Sequence, residues 1–159
     1  RIGYFAQHQV DELFVDETPL EHLKRERPDD APPKLRARLA GFGLGVDQAE
    51  TVVAKLSGGQ KARLSLLLAT LDAPHMLILD EPTQGLSQGE TVSFCALIRE
   101  LAKSATILLI VHNMSVVLEL AERITVMDRG AIIAEGAPDE IERNSAVQRA
   151  YLGTGDAEA

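Results

Sequence analysis

Tryptophan is absent from these 159 residues, and the chain has one cysteine, two tyrosines and four phenylalanines. A single cysteine, Cys95, excludes a disulfide framework within the chain and fits a reducing compartment. It lies beside Phe94 in a helix-like stretch, where a small buried apolar residue is the plain reading. Long apolar runs are missing too. The longest, Leu66–Leu71 and Ile107–Val111, fall far short of the ~20 residues a bilayer span requires, so any link to a membrane has to come through a partner. Positive charge is in deficit: 16 Lys and Arg against 24 Asp and Glu give a net charge of −8. That balance argues against a free-standing nucleic-acid binder, which carries a basic face. Arg1-Ile2-Gly3-Tyr4-Phe5 has no methionine, n-region or h-region, so it is not a signal peptide. It reads as a chain cut into at a β-strand, a fragment.

What is present is the composition of an ordinary globular protein, 45% hydrophobic and 25% charged, long enough for one modest core. Residues 1–6 alternate as a short strand before Gln7-His8-Gln9. Residues 11–50 are charged and hold Pro19, Pro28, Pro32 and Pro33, with helical pieces such as Lys34–Ala40 and no strand signal. They read as a small helical part. From Lys55 the pattern sharpens. Leu64, Leu67, Leu68 and Leu71 recur at helical spacing until Pro74. Met76-Leu77-Ile78-Leu79 is a continuous apolar run, which predicts a strand buried on both faces. A helix over about 88–103, with Phe94, Leu97, Ile98 and Leu101 on one stripe, leads to a second buried strand, Thr106–Val111. A helix with Val117, Leu120 and Ala121 inward follows, then strands Ile124–Met127 and Ala131–Ala134 around the turn Asp128-Arg129-Gly130. Alternation of this kind implies an α/β fold with a mostly parallel sheet flanked by helices. Residues 153–159 are expected to be a frayed, disordered tail.

The chemistry-bearing residues fall at strand C-termini and at one helix N-terminus, where open α/β sheets bind ligands. In Ser57-Gly58-Gly59-Gln60 the serine is a natural N-cap, the glycines let backbone approach a ligand, and the helix behind offers free N–H groups suited to phosphate. A plain loop-to-helix cap explains such a string equally well. Asp80-Glu81 ends an apolar strand, where two carboxylates are costly unless they bind a cation or do chemistry; alone they read as readily as exposed acids before Pro82. His112 follows Thr106–Val111 at the same sheet edge; a lone histidine is more often structural than catalytic, and His8, His22 and His75 read so.

The full string Leu56-Ser57-Gly58-Gly59-Gln60, with Lys61 and Arg63 after it, resembles the signature motif of the ATP-binding cassette (ABC) family. About sixteen residues further on, Met76–Leu79 with Asp80-Glu81 is similar to that family's catalytic strand. The resemblance implies a P-loop NTPase-like fold with a small helical subdomain at about 11–72 and a catalytic α/β part at 1–10 and 73–152. It implies ATP as ligand with Mg²⁺ held by Asp80 and Gln7, a water-polarising Glu81, and a γ-phosphate-sensing His112. Ser57, Gly58, Gly59 and Gln60, with Gln7, would contact nucleotide. Two cassettes of this family pair head to tail, each signature loop completing the partner's site.

The family's P-loop, G-x-x-x-x-G-K-[ST], is nowhere in the sequence, for no Gly-Lys pair occurs. A chain without it is expected neither to bind ATP tightly nor to hydrolyse it. Two positions depart from the family pattern: Ser87 stands where aspartate is usual, and Asn113 where aspartate usually follows the histidine. Residues 1–83, with Ile2–Gln9 and Leu56–Leu68, look most like the ABC-F proteins, soluble tandem cassettes that act on ribosomes. Residues 84–153, with Gln84–Ser87, Ala121–Met127, Ala134-Glu135-Gly136 and Ala150–Gly153, look most like ATPase subunits of branched-chain amino acid importers. The importer reading implies a cytoplasmic protein held by permease subunits at the inner face of the cell membrane. The ABC-F reading implies the ribosome, and an inactive degenerate fragment is the third possibility. No direct nucleic-acid site is evident.

Overall fold

The structure, a computed structural model, describes residues 1–152 except the side chains of Gln7, Gln9 and Leu152. The expected tail, 153–159, lies outside the described residues. The chain divides into two compact units, Arg1–His112 and Asn113–Ala159.

In the first unit, strands β1 (Ile2–Ala6), β2 (Met76–Asp80) and β3 (Thr106–Ile110) form a parallel sheet in the order β1-β2-β3. The register places Ala6 beside Asp80 and Asp80 beside Ile110. The three strand C-termini therefore share one edge. Between β1 and β2 come a 3-10 turn (Gln7–Val10), helices α1 (Pro19–Glu26), α2 (Pro32–Gly41) and α3 (Val46–Glu50), a second 3-10 turn (Val53–Lys55), and α4 (Gly58–Thr70). The leucines of this segment make one core: Leu23, Leu35, Leu39 and, between α2 and α3, Leu44 close on Leu64 and Leu67 of α4. Helix α1 starts at a Thr18–Glu21 capping box, with Pro19 at its first position, where proline's missing N–H costs nothing. His22 is structural, as expected. It is buried, its Nε2 accepting from the Phe14 amide and its Nδ1 donating to the Thr18 carbonyl, both at 3.0 Å.

Helix α4 ends at Thr70, before Pro74; the chain turns at Ala73, whose φ is 46°. Helix α5 (Gln88–Ala102) buries Phe94, Cys95 and Ile98, and the Phe94 ring stands 6.0 Å from that of Phe5 on β1. This covers the sheet face that carries Phe5, Leu77 and Leu79. The opposite face differs from expectation. Ile2, Tyr4, Leu108 and Ile110 are exposed, and Met76 and Ile78 are half-buried, so β2 and β3 are not buried on both faces. An apolar run shows that a face favours cover but not where the cover lies.

The second unit holds α6 (Met114–Leu120), β4 (Ile124–Asp128), β5 (Ala131–Gly136), α7 (Pro138–Glu142) and α8 (Ser145–Leu152). Strands β4 and β5 do not join the parallel sheet but form their own antiparallel pair. Arg129 and Gly130, with φ of 47° and 81°, make the two-residue connection. Two successive positive φ values define a type I′ turn, whose twist suits a hairpin. The buried cluster is Ile124, Val126, Ile141 and Val147. On α6 the fully buried residue is Val116, while Val117 and, just past the helix, Ala121 are only partly covered. Among the described residues no helix is long and apolar enough to cross a membrane.

Candidate functional site

Because parallel strands in register end together, the sheet delivers the predicted residues to one edge. Asp80 is the last residue of β2, and the Tyr4 hydroxyl donates to its Oδ2 at 3.5 Å. Gln7 opens the turn after β1, and its side chain lies outside the described residues. Glu81 follows Asp80 with φ of 49°, a left-handed conformation costing a non-glycine residue about 1–3 kcal/mol. Its amide donates to the Ile110 carbonyl at 2.8 Å, which locks the strained residue to the end of β3. That lock brings Glu81 to His112. The His112 Nδ1 stands 2.8 Å from Glu81 Oε1, with Glu81 partly covered and the histidine ring largely exposed. A carboxylate only accepts, so Nδ1 carries the proton in this bond. The pair is a histidine held against a carboxylate at the sheet edge.

The Ser57–Gln60 turn is a second grouping. Ser57 caps α4: its hydroxyl accepts from the Gln60 amide at 3.2 Å, and Gln60 Oε1 accepts from the Ser57 amide at 2.9 Å. This reciprocal box satisfies two otherwise orphan donors. The turn packs on the loop after Glu81, since a Cβ at Gly58 would stand 3.9 Å from the Gly85 carbonyl and from Leu86. Glu90 ties the same turn to the start of α5. Its carboxylate accepts from the Ser57 hydroxyl and the Gly59 amide with one oxygen, and from Ser87 with the other. These bonds, the Ser57 hydroxyl first among them, hold the Glu90 carboxyl down at about 2. Sequence reasoning missed Glu90. The pattern Ser87-x-x-Glu90 signals a capping box, but nothing local points to Ser57.

Among the described residues no three His, Cys, Asp or Glu side chains gather as a metal cage. Asp80 fits Mg²⁺ only alongside phosphate, which is how that ion is usually held: one or two carboxylates, water and substrate oxygens.

This arrangement, a parallel three-stranded sheet flanked by helices with a glutamate at a strand end and a capped glycine turn beside it, is the kind of α/β architecture that takes ligands at its strand C-termini. The model of the ABC transporter family matches residues 1–84, and that of the branched-chain amino acid ATP-binding cassette transporter matches residues 131–157. The chain belongs to the ABC transporter family. It is 46% identical over 86 residues to the probable ATP-binding protein YheS of Escherichia coli K12, an alignment covering 54% of this chain and 14% of YheS. It is 37% identical over 131 residues to the high-affinity branched-chain amino acid transport ATP-binding protein LivG of Salmonella typhimurium, covering 81% of this chain and 51% of LivG. The chain thus spans a small part of YheS and about half of LivG. Its fold matches the crystal structure of the ADP conformation of MJ1267, an ATP-binding cassette of an ABC transporter, with a TM-score of 0.75. The match covers 96% of this chain and 68% of that one, at 24% identity.

Proposed function

We propose that this chain supplies the catalytic carboxylate and the partner-facing signature turn of an ATP-hydrolysing subunit of an amino acid importer. The observation that carries the reading is the 2.8 Å bond between His112 and a left-handed Glu81 at the C-terminal edge of the parallel sheet. Glu81 accepts a hydrogen bond from the attacking water and aims it at the γ-phosphate, while His112 keeps the carboxylate in that direction. Asp80 and Gln7 would hold Mg²⁺, which would supply charge neutralisation for the phosphates. Ser57, Gly58, Gly59 and Gln60 face nucleotide carried by a second cassette paired head to tail.

The P-loop's backbone cradle and lysine supply most of the phosphate grip, and these 159 residues contain no Gly-Lys pair. By themselves they neither bind ATP tightly nor turn it over. Importer membership is supported by the match at 131–157 and by the likeness to LivG. On that reading the protein works in the cytoplasm, against permease subunits at the membrane. The likeness of the first half to YheS supports a second reading, an ABC-F type ATPase acting on the ribosome.

In the full-length protein, Glu81→Gln keeps the shape of the side chain and removes its charge. Turnover should fall at least about a hundredfold with ATP affinity retained; persistence of turnover would falsify the assignment of Glu81. Co-purification with permease subunits, against sedimentation with ribosomes, separates the two readings of the partner.

A further inference from the structure

Glu90 makes more bonds than its place in α5 requires. A Ser-x-x-Glu box needs the glutamate only to reach back to its own N-cap. Glu90 Oε2 does this, accepting from the Ser87 amide at 3.0 Å and the Ser87 hydroxyl at 2.8 Å. Its Oε1 leaves the helix. It accepts from the Ser57 hydroxyl at 2.8 Å and from the Gly59 amide at 3.1 Å. Gly59 is shaped to this carboxylate, since a Cβ there would stand 2.7 Å from Oε1 and 2.8 Å from the carboxyl carbon. The Ser57 hydroxyl has a single hydrogen, and Glu90 takes it. Helix N-terminal N–H groups and a cap hydroxyl are the donors an incoming phosphate uses, and two of them at this turn already serve an internal anion.

We propose that Glu90 sets how tightly the Ser57–Gln60 turn takes phosphate: its carboxylate occupies the Ser57 and Gly59 donors, and phosphate engages them by displacing it. This rests on the reading of the turn as nucleotide-facing. Displacement is felt at the start of α5 through the bonds to Ser87, and so in the loop that follows Glu81. The carboxylate remains ionised at neutral pH, because its bonds hold it at about 2, and it stays a competitor throughout the physiological range.

Glu90→Gln keeps the volume and exchanges the anion for a neutral amide, a weaker acceptor with no charge to repel phosphate. It is tested in the full-length protein carrying Glu81→Gln, so that no turnover intervenes, by calorimetric titration with MgATP. ATP should bind about tenfold more tightly in the double variant, the equivalent of one charge-assisted hydrogen bond no longer competing. Amide exchange at Gly59 in the ATP-free protein should speed up. Thr18→Ala, which removes a box of the same chemistry from α1, controls for lost helix capping and should leave ATP affinity unchanged. Unaltered or weakened ATP binding in Glu90→Gln overturns the proposal, as does unchanged exchange at Gly59. If the parent protein binds no ATP at all, the nucleotide-facing reading falls and takes this proposal with it.

Discussion

Glu81 combines backbone strain with a directed polar partner, the His112 ring at 2.8 Å. Its φ of 49° is a conformation glycine adopts freely and glutamate does not. Glu81→Gly should therefore leave the fold intact and raise its unfolding free energy by about 1 kcal/mol, the relieved strain less the added chain entropy. It should also abolish turnover in the full-length protein. Urea denaturation beside an ATPase assay measures both, and a large loss of stability would show that the left-handed turn is not strained. The types of residue in the site were legible in the sequence: carboxylates after one apolar run, a histidine after another, a serine before two glycines. That Glu81 and His112 touch was not legible, because the contact depends on the register of β2 against β3 and on one backbone angle.

At the scale of the element, local chemistry explains the helix boundaries. Thr18, Ser57 and Ser87 each open a helix with a side chain that caps it, and each of these signals is contained within a few residues of chain. Glu90 adds a longer link, between α4 and α5, with a pH signature. Its carboxyl sits at about 2 in the fold against an ordinary value of 4.5. A lowered folded value means a stabilising contribution that is whole above about pH 4.5 and lost as pH falls towards 2. Unfolding free energies measured across that window should drop less steeply in Glu90→Gln than in the parent. Parallel curves would show that the carboxylate contributes nothing to the link. The strands were less legible than the helices. The runs at 76–79 and 106–111 read as buried on both faces, yet the face with Ile2, Tyr4, Leu108 and Ile110 stays exposed, since periodicity reports what a strand is made of and not what packs against it.

For the molecule as a whole, the division at His112 and Asn113 separates a larger unit from a smaller one. The first has the leucine cluster of α1 to α4 and the Phe5–Phe94 layer. The second rests on Ile124, Val126, Ile141 and Val147 beside a two-stranded hairpin. Small cores bury a smaller share of their surface, and local opening follows such differences. Amides of β4 and β5 should exchange through openings of lower free energy than those of β2 and α4, read by hydrogen exchange with residue resolution. Equal protection throughout would mean that the two units open as one.

The sequence by itself determined the chemistry at the strand ends, the helix starts, the α/β alternation and the hairpin turn at Arg129-Gly130, all written in short-range periodicity and capping. Tertiary structure alone decided that β4 and β5 pair with each other and not with the parallel sheet, that one sheet face lies open, that His112 meets Glu81 and that Glu90 binds Ser57 and Gly59. The last two join residues about 30 apart in the chain, and all four follow from strand pairing and packing, which no local pattern encodes.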